Sequence, residues 1–286
     1  FEGLVMEDPS GRYIPGAAES WALSKDAKTY VFTMRENGKW SNGDDVTADD
    51  FVYGLRRSVD PSTLSNYSSM LYPIKNARDI VLGVKEPKAL GDRSEGPKTL
   101  VIELEEPTPY FLSLLTHSTT YAAHRPTVEK FGSQFTRPGN LVGNGAFRLE
   151  EWRVQSHIKL VRNTEYWDNK NTTLEEVYYY PIDDTNSAFK RYRAQELDFT
   201  ETVLAEQLPW IRQCLPGDLK VSPYFGSYYY GFNNTQPPFK NKPQLRTALS
   251  MAIDRNVITD IILGAGQIPS YLSLIHISEH TRRTPI

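Results

Sequence analysis

The sequence predicts a protein of the mixed α/β class, and three observations support this prediction. Residues 28–35 alternate in polarity, as a half-buried strand does. Residues 47–55 combine a capping pattern with apolar side chains at helical spacing. Patterns of both kinds recur to about residue 255, which is typical of helices that pack against a sheet.

The first strand signal runs from Lys28 to Arg35. Side chains of a strand point alternately to its two faces, so Tyr30, Phe32 and Met34 share one face. We expect this face to be buried and the opposite face to contact solvent.

A capped helix is predicted shortly after this strand. Asn42-Gly43 favours a turn because both residues tolerate positive φ. Thr47 supplies an N-cap hydroxyl and Asp50 a carboxylate three residues later, so the helix is expected to begin at Ala48. Its inward face comprises Phe51, Val52 and Leu55.

The rest of the chain also contains both strand and helix patterns. Residues 58–99 are rich in Ser, Pro and Gly and are interpreted as surface excursions. The other predicted strands are 99–104, 156–162, 174–182 and 197–200, with a β-prone aromatic run at 228–232. The other predicted helices are 109–115, 127–132, 187–195 and one that begins near Gln244.

Composition narrows the class of protein. Its 286 residues are enough for two domains, and 39% hydrophobic with 23% charged residues is ordinary for a soluble globular protein with a sizeable core. The net charge of −3 argues against nucleic acid as a partner. The single cysteine, Cys214, excludes an internal disulfide and a multi-cysteine zinc site. Phe1 is not preceded by a starting Met or a signal-peptide layout, so we expect an N-terminus that was cut away.

Catalytic motifs are absent from most of the chain. The sequence has no nucleophile elbow, Walker loop, dinucleotide-binding glycine motif or H-E-x-x-H motif. Several adjacent acidic pairs are candidates for glycosidase or metal carboxylates, but solvated loop and cap residues are the simpler interpretation. These pairs are Asp44-Asp45, Asp49-Asp50, Glu105-Glu106, Glu150-Glu151 and Asp183-Asp184.

The last fifteen residues, LSLIHISEHTRRTPI at 272–286, resemble the translation of a sequencing adapter. They also contain the pattern H-x-x-E-H, formed by His276, Glu279 and His280, which occurs in inverted zinc proteases. The first interpretation makes the segment an artefact, and the second makes the protein a zinc peptidase.

Three segments together resemble one known family. They are PGAAESWALSKDAKTYVFTMRENGKWSNGDDVTADDFVYG at 15–54, NGAFRLEEW at 144–152, which runs on to Tyr166-Trp167, and LRTALSMAIDR at 245–255. The chain resembles the oligopeptide-type solute-binding proteins of bacterial ABC importers, which include the murein-peptide-binding proteins (solute-binding protein family 5).

The resemblance implies an α/β fold of the periplasmic-binding-protein type II, bilobal with an extra lobe, in a fragment truncated before most of the second lobe. Residues 1–127 would form the extra lobe, 128–225 part of lobe I and 226–271 the start of lobe II. Residues 272–286 are assigned to the adapter.

The resemblance also implies a function. Such proteins are monomeric receptors outside the cytoplasmic membrane, in the periplasm, where they close two lobes on short peptides and deliver them to a membrane permease. They are not enzymes and need no cofactor. Residues that grip the peptide termini come from the second lobe, beyond Ser270, so the fragment is expected to bind peptide weakly or not at all.

Tyr67, Tyr224 and Tyr229 stand at positions that line the peptide cleft in the family. Tyrosine suits this role because it offers a rigid face and a hydroxyl. Each of them is equally compatible with ordinary core packing. Many relatives have a cysteine at the position of Gly226 and an acidic residue at that of Gly231, so the peptide preferred here is left open between oligopeptides and murein peptides.

Two further interpretations remain open. Some relatives in the broad family carry nickel, haem, glutathione or sugars, and the first-lobe signature does not separate these solutes from peptides. A chaperone-like surface protein is the other possibility, since receptors of this kind hold unfolded chains.

Overall fold

The computed structural model describes residues 1–222 and 226–271. The chain divides into two compact units, unit 1 from Phe1 to Pro181 and unit 2 from Ile182 to Ile286. The domain boundaries predicted at residues 127 and 225 stay predictions. Within the described residues, no helix combines the length and apolar character needed to cross a bilayer.

Unit 1 contains three antiparallel sheets. Their strand orders are β1-β2, β3-β4-β6-β5 and β7-β8-β9. The strands are β1 (Val5–Glu7), β2 (Tyr13–Pro15), β3 (Ala18–Leu23), β4 (Thr29–Met34), β5 (Asp92–Ser94), β6 (Thr99–Glu103), β7 (Phe147–Arg153), β8 (His157–Arg162) and β9 (Glu176–Tyr179).

Short helices connect these strands. The α-helices of unit 1 are α1 (Ala48–Val59), α2 (Ala77–Val81), α3 (Phe111–Leu114) and α4 (Arg125–Phe131). Its 3-10 helices are Pro61–Thr63, Ser68–Leu71, Pro87–Ala89, Ser118–Thr120, Gly132–Gln134 and Asn169–Asn171. Strand β4 and the start of α1 at Ala48 confirm the sequence predictions.

The core of unit 1 lies between α1 and the four-stranded sheet. Phe51 and Leu55 of α1 are fully buried, as are Phe32 of β4 and Ile102 of β6. Burying a side chain of this size contributes about 1.5–3 kcal/mol to the free energy of unfolding. The predicted buried face of β4 is confirmed.

The stretch 58–99 is not only surface. Leu71, Ile74 and Ile80 are fully buried, and β5 pairs with β6. The interpretation of this stretch as surface excursions is therefore wrong in part. Its apolar residues are spread over turns and single helical turns, which are too short to show a periodic pattern.

Asn144 and Tyr166-Trp167, which belong to one of the family-like segments, help to hold the start of the chain. The Glu2 carboxylate accepts hydrogen bonds from the Tyr166 hydroxyl at 2.6 Å and from Trp167 Nε1 at 2.9 Å. The Asn144 amide exchanges two hydrogen bonds with the Glu2 backbone. Burial raises the pKa of Glu2, and the two side-chain hydrogen bonds oppose that shift. These motif residues therefore have a structural role.

Unit 2 is helical within its described part. Its elements are α5 (Thr185–Arg193), the 3-10 helix Ala205–Gln207, α6 (Leu208–Cys214), α7 (Pro243–Met251) and the π-helical segment Val257–Leu263. The strands predicted at 197–200 and for the aromatic run at 228–232 are wrong, since the structure assigns no strand there. A strand needs a neighbour for its backbone N–H and C=O groups, and the described part of unit 2 offers none.

The beginning of α1 is fixed by one carboxylate. Asp50 Oδ2 accepts hydrogen bonds from the Thr47 backbone N–H at 2.8 Å and from its hydroxyl at 2.9 Å. The same oxygen accepts from Nε1 of the buried Trp40 at 3.2 Å. The predicted pairing of Thr47 with Asp50 is confirmed, and it also satisfies the polar atom of a core residue.

We expect Asp50→Ala to lower the free energy of unfolding by about 1–3 kcal/mol, because a cap is lost and Trp40 Nε1 is left without its acceptor. Asp49→Ala is the matched control. It removes the same charge from the same helical turn at an exposed side chain, whose hydrogen bond from the Ser94 hydroxyl is also exposed, and we expect a change within about 0.5 kcal/mol. Urea unfolding followed by circular dichroism measures both. Equal losses in the two variants would contradict this role of Asp50.

The outer edge of the four-stranded sheet carries a buried carboxyl group. Asp92 Oδ1 on β5 accepts a hydrogen bond from Arg56 Nε on α1 at 2.8 Å. Its second oxygen, Oδ2, is buried and has no hydrogen-bond partner among the described residues. Burial raises the pKa of Asp92 to about 6, against the opposing effect of Arg56.

This pKa predicts a pH-dependent stability. A carboxyl whose pKa is raised by folding contributes most below its ordinary pKa of 3.8, and that contribution is lost as the pH rises through about 6. The loss amounts to about 3 kcal/mol. The free energy of unfolding of Asp92→Asn, measured relative to wild type by urea titration, should therefore rise by this amount between about pH 3.5 and pH 7. Parallel pH profiles for the two proteins would show that the pKa of Asp92 is not raised.

Candidate functional site

Tyr67 presents its side chain to solvent from a fixed piece of backbone. It directly precedes the 3-10 helix Ser68–Leu71, and its carbonyl accepts a hydrogen bond from the Met70 N–H at 3.0 Å. Leu71, at the end of this helix, is fully buried in the core of unit 1. The Tyr67 side chain nevertheless remains 57% exposed. An exposed ring on an anchored backbone is suited to contact a ligand.

The ring of Tyr67 packs against an imidazole. Its centroid lies 5.1 Å from that of His117, with an angle of 49° between the planes. His117 precedes the 3-10 helix Ser118–Thr120, and its Nδ1 accepts a hydrogen bond from the Thr119 N–H at 3.2 Å. Sequence reasoning missed His117, because no motif surrounds it and only the fold brings it to Tyr67.

Helix α1 holds the turn that carries His117. The Ser58 hydroxyl, near the end of α1, donates to the Thr119 carbonyl at 2.8 Å. Thr120 is buried, and its hydroxyl lies 3.0 Å from the Leu115 carbonyl and 2.8 Å from that of His117. The position of the imidazole is therefore set by hydrogen bonds that lead back to the core helix.

The other two tyrosines predicted for the site lie later in the chain. Tyr229 belongs to unit 2 and is 69% exposed, within an irregular segment. Its neighbours Tyr228 and Tyr230 contact each other edge-to-face, with centroids 5.9 Å apart. Tyr224 lies outside the described residues. That the three tyrosines form one site stays a prediction.

A second histidine lies in a row of groups that resembles a catalytic triad. His124 Nε2 is 3.0 Å from Asp44 Oδ2, and its Nδ1 is 2.6 Å from the Thr127 hydroxyl. Thr127 and His124 are only 6% and 7% exposed, so the hydroxyl that would act as nucleophile does not face solvent. The hydrogen bond from Asn42, followed by that from His124, lowers the pKa of Asp44. The row joins the turn after β4 to α4 and has a structural role.

Most of the acidic pairs noted in the sequence have structural partners. Asp50 caps α1 and Asp184 caps α5. Glu106 pairs with Lys28 and Glu150 with Arg148. Within the described ranges, no group of three or more His, Cys, Asp or Glu side chains has the arrangement of a metal site. The hypothetical zinc ligands in the C-terminal H-x-x-E-H pattern lie outside those ranges.

Comparison with models of protein families identifies the family of this chain. Its sequence matches the model for bacterial extracellular solute-binding proteins, family 5 Middle, over residues 12–280. The chain belongs to this family. The family proposed from the three motif segments is therefore confirmed.

Individual relatives agree with this assignment. The periplasmic oligopeptide-binding protein OppA of Salmonella typhimurium is 41% identical over 274 residues, which cover 95% of this chain and 50% of the relative. The periplasmic murein peptide-binding protein MppA of Escherichia coli is 40% identical over 273 residues, with the same coverage of 95% and 50%. The chain thus spans about half the length of the curated relatives it matches.

A solved structure confirms the predicted fold class. Haemophilus influenzae OppA, in complex with the peptide RPPGFSPFR, superimposes with a TM-score of 0.85 at 41% identity. The superposition covers 94% of this chain and 53% of that structure. The fold is the α/β fold of type II periplasmic binding proteins, represented here by about half of its length.

Proposed function

We propose that the full-length protein containing this chain is the substrate-binding component of a peptide ABC importer. The observation that carries the proposal is the 41% identity to an oligopeptide-binding protein across 95% of the chain. In such a receptor, hydrogen bonds to the peptide main chain provide affinity and hydrated pockets accept different side chains. A site built in this way would bind peptides of many different sequences.

Tyr67, Tyr224 and Tyr229 are the residues that we propose to contact the peptide. The exposed ring and anchored backbone of Tyr67 support its assignment. The exposure of Tyr229 supports its own assignment. A tyrosine ring covers apolar peptide surface, and its hydroxyl exchanges hydrogen bonds with the main chain.

In this proposal, a hinge motion allows the protein to deliver its peptide to the membrane permease. Peptide shifts the equilibrium towards a closed state by its higher affinity for that state, and a membrane permease recognises the closed state. The protein would act as a monomer in the periplasm, where its relatives OppA and MppA are described as working. Neither a cofactor, a catalytic step nor nucleic acid has a part in this function.

The choice between oligopeptides and murein peptides belongs to the same proposal. The relatives include proteins named for each, at 41% and 40% identity, so overall similarity does not separate them. Gly231 stands where many oligopeptide-binding relatives carry an acidic residue, and its lack of a side chain favours a ligand without a matching positive charge at that point.

We expect Tyr67→Ala to weaken peptide binding by the full-length protein about tenfold, because it removes an aromatic contact. Tyr110→Ala is the matched control, since both tyrosines are 57% exposed and both belong to unit 1. Its affinity should stay within about twofold of wild type. Isothermal titration calorimetry with tri- to pentapeptides and a murein tripeptide measures both variants.

Two results would contradict the proposal. Binding of nickel, haem, glutathione or a sugar by the wild-type protein, with no binding of any of the peptides, would assign it to another ligand class. Equal loss of affinity in Tyr67→Ala and Tyr110→Ala would remove Tyr67 from the site.

A further inference from the structure

We infer that His117 is a positioning residue for peptide binding, because it holds the ring of Tyr67 in the orientation that meets the ligand. This inference rests on the proposed function and adds a residue to its site. The juxtaposition that carries it is the contact between the two rings, with centroids 5.1 Å apart.

The conformational freedom of the Tyr67 side chain affects the affinity for a ligand. A side chain that is 57% exposed and has no support samples several rotamers, and a ligand that orders it loses binding free energy in doing so. The imidazole of His117 restricts the ring before the ligand arrives. Preorganisation of this kind increases affinity without adding a contact to the ligand.

The imidazole that supports the Tyr67 ring is itself held in place. His117 Nδ1 accepts the Thr119 N–H, so the neutral imidazole carries its proton on Nε2. The Ser58 hydroxyl ties the same turn to α1 through the Thr119 carbonyl at 2.8 Å. The imidazole is thus held at its edge by a backbone hydrogen bond while its ring contacts Tyr67.

The two contacts of His117 can be removed separately. In His117→Asn, the side-chain oxygen takes the place of Nδ1 and keeps an acceptor for the Thr119 N–H, but the ring is lost. In His117→Phe, a ring remains beside Tyr67 and the acceptor is lost. A role in positioning Tyr67 depends on the ring, whereas a purely structural role depends on the acceptor.

The expected result is an opposite order of the two variants in two measurements on the full-length protein. Calorimetry with trialanine should show His117→Asn about fivefold weaker than wild type and His117→Phe within about twofold. Thermal unfolding should show the reverse, with a lower Tm for His117→Phe than for His117→Asn. In a Tyr67→Ala background, His117→Asn should cause no further loss of affinity.

A matched control is available in the same unit. His157 contacts the ring of Tyr178, with centroids 5.6 Å apart, but neither residue is assigned to the site. His157→Asn removes a comparable contact between two rings and should leave the affinity for trialanine within about twofold of wild type.

The remaining outcomes overturn the inference in distinguishable ways. If wild type binds trialanine and Tyr67→Ala weakens binding while His117→Asn does not, the inference fails and the proposed function stands. If His117→Phe loses as much affinity as His117→Asn, the acceptor matters rather than the ring, and His117 only stabilises the turn. If wild type binds no peptide at all, both the inference and the proposed function are wrong.

Discussion

Burial of the apolar face of α1 against the four-stranded sheet is the constraint on which the arrangement of unit 1 depends. Each part of the helix also makes a polar contact with a different segment. At its start, Asp50 accepts hydrogen bonds from Thr47 and Trp40. Further along, Arg56 donates a hydrogen bond to Asp92 and so holds the edge strand β5. Near its end, Ser58 holds the turn at 117–120. Because Asp92 and Thr119 are distant from α1 in sequence, the packing of one helix fixes segments that lie far along the chain.

The role that we propose for Tyr67 depends on this arrangement. The chain leaves α1 at Val59 and passes through the capped turn at Asp60 before it reaches Tyr67, whose backbone is anchored by the buried Leu71. The same helix positions the turn that carries His117, through Ser58 and Thr119. A rigid core therefore supports an exposed aromatic ring, and such a ring can recognise a peptide while losing little conformational freedom.

The sequence was informative wherever structure depends on neighbouring residues. The alternation in β4 and the Thr47–Asp50 pattern predicted a buried strand face and the first residue of α1, and both are confirmed. The aromatic run at 228–232 was predicted less well, since β-propensity produces a strand only when a partner strand is present. His117 gave no local signal, because its contact with Tyr67 joins segments on either side of β5 and β6. The family resemblance predicts that Tyr67 lines the peptide cleft but does not indicate what holds its ring.

The most direct test of the account is a crystal structure of the full-length protein with a bound tripeptide. The account predicts that the peptide lies against the ring of Tyr67, with His117 packed behind that ring as it is here and with Tyr224 and Tyr229 also in contact with the peptide. A bound peptide that touches none of these tyrosines would contradict the proposed site. A peptide that contacts Tyr67 after its ring has left His117 would contradict the positioning role of the histidine.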